Sequence, residues 1–276
     1  MAMRSIRILG GMVGAALAMA TAFSAHADDV LAKVKAAGVL SVGTETAFAP
    51  FDFIDAGEHV GLNVDLFAEI GKELGVKIEW VALPWDGVLP GLESGKFDMV
   101  AGPATITKAR MERYRFTSPI AEATVALLAR KDAGLTKPED IAGKAVGSGK
   151  ATAQLAQLQD YAKTLPTPPT VREYVSFNDG YADMAAGRIV AVANSLPNIA
   201  YVASQRSDMF EVIKPPFGKP SYFGFIGRKD ADSTSLMDAI DAALLKMKAD
   251  GRMATLQKKW FGDTFNTPEK VTDPSF

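Results

Sequence analysis

Apolar positions along the chain recur in two rhythms, and the rhythms take turns. Leu40–Thr44, Lys77–Val81 and Asp98–Ala101 are short apolar or alternating runs of strand length. Between the first two, Val64, Phe67, Ile70 and Leu74 fall on one face of a helix that Asn63 can cap and Gly75 ends. A helix over Asp28–Ala37, stopped by Gly38, precedes them. Glu45–Phe53 reads as a rigid apolar loop, Asp55–Gly61 as a turn, and Trp85-Asp86 as a loop into Val88–Leu92. Strand and helix alternating at these spacings predict a parallel α/β layer.

A second set begins at Thr124. Val125–Arg130 and Lys144–Gly147 read as strands, and Thr152 starts a helix that buries Leu155, Leu158 and Tyr161. After a proline-rich link over Leu165–Thr170 come a strand at Val171–Val175, a helix at Asn178–Ala186, a strand at Ile189–Ala193 and a helix from Pro197. Tyr222–Asp230 closes like Val125–Asp132, with Arg228-Lys229-Asp230 echoing Arg130-Lys131-Asp132. The matching ends predict two adjacent strands through which the chain enters and leaves a second lobe. The tail is helical: Ser235–Asp238 has capping-box spacing, Leu236, Ile240, Ala243, Leu244 and Met247 form a stripe, and Met253, Leu256 and Trp260 another. With no strand of its own, the tail is expected to pack on the first lobe. The organisation is then residues 28–123 for the first part of lobe 1, 124–230 for lobe 2, and 231–276 for the return to lobe 1.

Residues 1–27 stand outside this pattern. Arg4 and Arg7 precede an apolar run from Ile8 to Ala22, and Ala25-His26-Ala27 is a small-x-small cleavage site. These are the parts of a secretory signal, with cleavage expected after Ala27 and export to the periplasm. A membrane anchor fits less well, because the run is short and rich in Gly and Ala. Without its two arginines the mature chain keeps 28 of the 30 basic residues and all 32 acidic ones, a formal net charge of −4. No basic block points to nucleic acid. The absence of Cys excludes disulfides, thiolate metal sites and Cys nucleophiles. His59 would be the one histidine left, so neither a His-rich metal site nor a His-dependent triad can be assembled. No cofactor is implied.

Candidate chemistry concentrates between Asp98 and Pro119. A strand, a polar turn and a helix opening near Thr107 bring together the carbonyl of Pro103, the hydroxyl and N–H of Thr105 and the guanidinium of Arg110. A planar, permanently charged fork beside a hydroxyl suits a small carboxylate. Pro103 lacks an N–H, so its backbone can only accept, as a ligand ammonium requires. The competing reading makes Arg110 a surface charge on a helix that also carries Lys108, Arg113 and Arg115.

Five segments in order carry a resemblance: Gly43–Phe51, Gly61–Leu66, Trp85–Leu92, Thr105–Arg110 and the ending Lys248–Gly251 with Lys258–Gly262. With them the chain resembles family 3 extracellular solute-binding proteins, which deliver polar amino acids to ABC importers. The resemblance implies the type II periplasmic binding fold, two α/β lobes joined by two crossing strands, with a discontinuous first lobe and ligand held by hinge closure. By position, Arg110 resembles the α-carboxylate partner, Thr105 its helper, and Pro103 an acceptor for the ammonium. Phe48 resembles the aromatic wall and Trp85 a second wall, each against a reading as core. Phe51 and Phe53 are assigned to the core. Glu45 resembles the acid that contacts ligand side chains or the opposite lobe.

The second lobe departs further from the family pattern. A Gly-Thr pair at a helix N-terminus corresponds to Lys150-Ala151-Thr152, or with a small gap to Ser148-Gly149-Lys150; either places Lys150 near the cleft. Gly147–Lys150 is not a P-loop, since Ala151 lacks the metal-binding hydroxyl and Lys144 replaces the first Gly. Ser195 stands where the family has an Asp for the ligand ammonium; it also reads as a helix N-cap before Pro197. Either Glu45 or Asp183 supplies the missing charge, or the ligand has a substituted or absent α-amino group.

The resemblance implies a monomeric binding protein for a small amino acid or amino-acid-like carboxylate, with an inner-membrane ABC permease as partner. The alternative on the same scaffold is a cyclohexadienyl dehydratase-like enzyme, with Glu45 or Lys150 as proton donor. A sensory ectodomain would need a span or signalling domain after Phe261, where only a short polar tail follows.

Overall fold

The computed structural model describes residues 29–276; the expected signal segment and its cleavage site lie outside the described residues. In chain order the elements are α1 (Val30–Ala37), β1 (Val39–Thr44), β2 (Ala47–Phe48), β3 (Asp52–Asp55), β4 (Glu58–Val60), α2 (Leu62–Leu74), β5 (Lys77–Ala82), α3 (Trp85–Glu93), β6 (Met99–Thr105), α4 (Lys108–Arg113), β7 (Tyr114–Phe116) and β8 (Ala121–Glu122). There follow β9 (Val125–Arg130), β10 (Ala145–Gly149), α5 (Ala153–Ala162), β11 (Thr170–Tyr174), α6 (Phe177–Ala185), β12 (Ala191–Ser195), α7 (Leu196–Gln205), β13 (Phe210–Ile213), β14 (Tyr222–Arg228), α8 (Thr234–Ala249) and α9 (Arg252–Phe261).

Two main sheets result. The first runs β5-β1-β6-β14-β7, with β8 also on β14; the second runs β11-β10-β12-β9-β13. In each, three parallel strands with helical crossovers meet one long antiparallel strand, β14 in the first sheet and β9 in the second. The purely parallel layer expected from the alternation is therefore mixed. Both antiparallel strands are apolar on both faces, buried from Phe223 to Gly227 and from Val125 to Ala129, because helices or a second layer cover each side.

The crossing itself differs from the reading of the matching Arg-Lys-Asp ends. Those ends are not adjacent: Arg130 finishes a strand of the second sheet and Arg228 one of the first. The segments that do meet are the opposite ends of the same strands. Ile120 N–H donates to Phe223 O (2.8 Å), Ala123 N–H to Ser221 O (2.8 Å) and Gly218 N–H to Val125 O (2.9 Å). Only the order of strands in space separates the two possibilities, and charge repeats at strand ends do not encode it.

Several local expectations also shift. Glu45–Phe53 is not a plain loop, because β2 pairs with β3 and β3 with β4 in a small antiparallel sheet beside the cleft. Gly61, not Asn63, caps α2. Its φ is +136°, and a Cβ there would sit 2.0 Å from Phe51 O, so only glycine fits. Asn63 is buried in the first turn, and its Nδ2 donates to Asp52 Oδ2 (2.5 Å) and Ala101 O (2.8 Å). The capping box at Ser235 does not form: α8 starts two residues earlier than that box implies, with Ser233 at the cap and no side-chain cap bond. In the tail, the stripe from Leu236 to Met247 is buried in the same core as α2. Trp260 Nε1 and Lys259 Nζ both reach Asp65 (2.7 Å). No helix among the described residues is long and apolar enough to cross a membrane.

Candidate functional site

β6 delivers the centre of the site. It is buried along its whole length and runs to Thr105, so Pro103 lies within the strand and not in a turn. The register against β14 slips between Gly224 and Ile226, opposite this stretch, as expected where a proline cannot donate to the ladder. The strand ends as α4 begins. Thr107 caps α4, its Oγ1 accepting from Arg110 N (3.2 Å), which fixes the start of the arginine side chain. Arg110 Nη1 then donates back to Thr105 O (3.1 Å), and the guanidinium lies over the Trp85 ring at 5.5 Å.

Arg110 is part-buried, and burial lowers its pKa to about 10. Among the described residues it has no ion-pair partner. Glu45 is buried nearby with its pKa raised to about 8, first by burial and second by the charge of Asp52. Asp52 is itself fully buried and raised by burial, partly offset by His59 (3.1 Å) and Asn63.

Seven of the nine residues expected at the site enclose one small pocket: Glu45, Phe48, Trp85, Pro103, Thr105, Arg110 and Thr152, joined by Gln154. Trp85 is in the first turn of α3, not in a loop. Phe48 is buried and packs on Phe51, Phe177 and Phe223 at 5.7–6.0 Å, so it is a core residue whose face also walls the pocket. Phe51 is fully buried, as assigned, while Phe53 is half-buried between Tyr201 and Trp260.

From the second sheet, Thr152 and Gln154 bring the N-terminal, positive end of α5 to the pocket. Thr152 Oγ1 accepts from Leu155 N (3.0 Å) and donates to Gly149 O (2.6 Å), so its proton is already committed to the backbone. Gln154 was missed in the sequence; a polar residue two positions after a helix cap, on the buried side, was the available signal.

Two expected residues do not line the pocket. Lys150 Nζ pairs with Asp86 Oδ2 (3.0 Å) at the rim, half-exposed, tying the two sides together from outside. Ser195 ends β12 fully buried; its hydroxyl bonds Asn198 Oδ1 and not α7's N–H groups. Asn198 Nδ2 in turn donates to Ala49 O (2.7 Å) on the opposite side. Asp183 cannot replace the missing acid, since Arg188 (2.5 Å) and Tyr174 (2.8 Å) hold it elsewhere. Trp85 Nε1 reaches Ala151 O (3.3 Å), whose residue adopts a left-handed φ of +58°. The pocket left between these contacts is about 10 Å³, near the size of one water. No group of three or more His, Cys, Asp or Glu side chains among the described residues is placed to hold a metal.

Two α/β sheets joined by paired crossing segments, with a cationic pocket between them, define the two-lobed type II periplasmic binding fold. Residues 40–263 match the bacterial extracellular solute-binding proteins, family 3, and the chain belongs to that family. It is 29% identical to the L-cystine-binding protein TcyJ of Escherichia coli K12 over 92% of this chain and 94% of that protein. An ancestral arginine-binding protein bound to arginine superposes with a TM-score of 0.75 at 32% identity, over 82% of this chain and 99% of the other. The ancestral amino acid-binding protein AncCDT-1, a precursor of cyclohexadienyl dehydratase, does so with a TM-score of 0.76 at 29% identity, over 84% and 99%.

Proposed function

We propose that this protein is a periplasmic receptor that hands an α-amino acid, or a close carboxylate analogue, to an ABC permease. One observation carries the reading. Arg110 holds a desolvated cation at a pocket between the lobes, braced by Thr105 O and Trp85, with no ion-pair partner among the described residues. A buried charge without a partner is costly, and a ligand carboxylate removes that cost. Glu45 is the acid at the same pocket and takes the role that Ser195 does not fill, facing the ligand ammonium together with the Pro103 carbonyl. Phe48 and Trp85 exclude water, and Thr152 and Gln154 close from the second lobe.

The closed pocket is too small for such a ligand, so the lobes part about the crossing segments near Ala121 and Phe223 and shut again over it. We assign residues 29–123 and the tail from 231 to the first lobe. The second lobe takes most of 124–230, with β14 returned to the first sheet. Residues 1–27 act as the export signal, and the protein works as a monomer.

Arg110→Ala tests this directly. Calorimetry with an amino-acid panel should show binding weakened more than 100-fold, the scale of roughly 3–5 kcal/mol for removing one partner of a buried ion pair. The melting temperature of the free protein should hold or rise, because a desolvated cation has gone. Undiminished affinity would remove the reading.

A dehydratase-like enzyme remains the second reading, because Glu45, neutral up to about pH 8, is a proton donor in the cleft. The other candidate donor, Lys150, is tied to Asp86 at the rim, which favours the receptor. Absence of prephenate or arogenate turnover is the expected result.

A further inference from the structure

A cavity of about 540 Å³ lies apart from the Arg110 pocket and shares no residue with it. The stacked rings of Phe48 and Phe51 stand between the two. Phe48 walls the Arg110 pocket, and Phe51 packs at 5.0 Å on Phe261, which lines the cavity. Three parts of the fold meet there: α7 with Pro197 and Tyr201, the end of α9 and the tail with Trp260, Phe261 and Phe265, and β8 with Glu122. The four aromatic residues are all half-buried, so their rings border one space and still meet solvent. The charges around them are unequal. Lys259, the one cation of the lining, is held by Asp65 (2.7 Å) and lies over the Trp260 ring at 4.8 Å. The Glu122 carboxylate has no hydrogen-bond or ion-pair partner among the described residues. Asp263, accepting from Thr264 N (2.7 Å), adds a second acid to the lining. Tyr201 also feels a third: burial first, and then the charge of Asp55, raises its hydroxyl pKa.

We infer that this cavity is a second binding site, for a small organic cation with an aromatic body. Its volume is in the range of small-molecule pockets, and it lies where separate parts of the fold meet, as such pockets commonly do. Aromatic faces attract a cation, and Lys259 over Trp260 shows that this wall already takes one. Lys259 is neutralised by Asp65, which leaves Glu122 and Asp263 as the uncompensated charges of the lining. An ammonium therefore finds acids and ring faces together, while its aromatic body stacks on the remaining rings. A neutral molecule of the same shape gains only the stacking, and an anion meets like charge. The site needs no carboxylate on its ligand and no contact with Arg110, so it stands apart from the receptor reading.

The test is calorimetric titration of the full chain with phenethylamine and with 2-phenylethanol, which carries the same ring and no charge. The wild type should bind the amine at least about fivefold tighter than the alcohol, the scale of a partly desolvated cation–π contact. Glu122→Gln keeps the shape of a part-exposed side chain and should bring the two probes within about twofold of each other. Tyr201→Ala removes a ring and should weaken both probes by at least about threefold. An amine seated at Glu45 in the cleft would ignore both substitutions, so amine affinity unchanged in the two variants overturns the inference. Equal affinity for amine and alcohol in the wild type overturns it too, as does binding of neither. Because neither probe offers a carboxylate to Arg110, these outcomes are independent of whether Arg110→Ala abolishes amino-acid binding.

Discussion

The two lobes present unlike halves of one pocket. The first lobe supplies both ionisable groups, each held by rigid elements: Arg110 on a capped helix against the end of a buried strand, and Glu45 directly after β1. The second lobe supplies no charge to the pocket. Its hydroxyl at Thr152 is spent on capping, its Lys150 is turned to the rim, and its Ser195 is buried in a bond to Asn198. On the receptor reading proposed above, the first lobe recognises and the second covers: the ligand is oriented before closure, and closure adds packing and dehydration in place of new ion pairs.

The largest expected effect that could break this division belongs to Glu45. Its pKa is raised from 4.5 to about 8 in the folded protein, so the folded state holds a proton that the unfolded state has lost. Stability from this group is therefore full below pH 4.5 and falls as pH rises toward 8, by up to about 1.4 kcal/mol per pH unit. Glu45→Gln should flatten that part of the curve in denaturant titrations, while Asp52 keeps its own. A ligand ammonium needs the ionised form, so affinity should rise with pH to about 8, with a proton released on binding. Calorimetry in buffers of different ionisation enthalpy reads that proton. At pH 8 the variant should bind at least about tenfold more weakly, as for a lost charge-assisted contact. If binding is independent of pH and of this substitution, the first lobe does not carry both ionic contacts.

A smaller effect is expected where the cover is latched. Asn198→Ala removes the bond to Ala49 O across the cleft and leaves Ser195 without its partner, a loss of about 1–2 kcal/mol for closure. Small-angle scattering should show the free protein more open, with the ligand-bound form unchanged in size. An unaltered profile would mean that the aromatic contacts alone hold the lobes.

The smallest belongs to Lys150. Its pair with Asp86 is half-exposed, and such pairs contribute about 0–1 kcal/mol. Lys150→Met should change affinity by less than about threefold and reduce its salt dependence. A tenfold loss would place the lysine inside the site after all.

Most of the first-lobe half was legible in the sequence because its parts are local. Thr105, Thr107 and Arg110 sit within one strand-to-helix turn, where capping chemistry and spacing fix the geometry. The second-lobe half was less legible because its outcome depends on competition for partners. Lys150 faces a rim acid 64 positions away, and Asn198 reaches a carbonyl 149 positions away. Neither appears in a local pattern. Asn63 shows the same limit: its position suits a cap, but burial next to Asp52 gives its amide a more demanding partner. Strand order across the hinge was hidden for a related reason, since repeated strand ends say nothing about which ends meet.

Trp85 has a consequence for how the molecule can be watched. Of the three tryptophans it is the one at the pocket, with its ring against Arg110 and its indole N–H on Ala151 O of the opposite lobe. Parting the lobes breaks that bond and wets the ring. Emission from this indole should shift to the red on opening and back on ligand capture, so the protein carries its own optical gauge of closure.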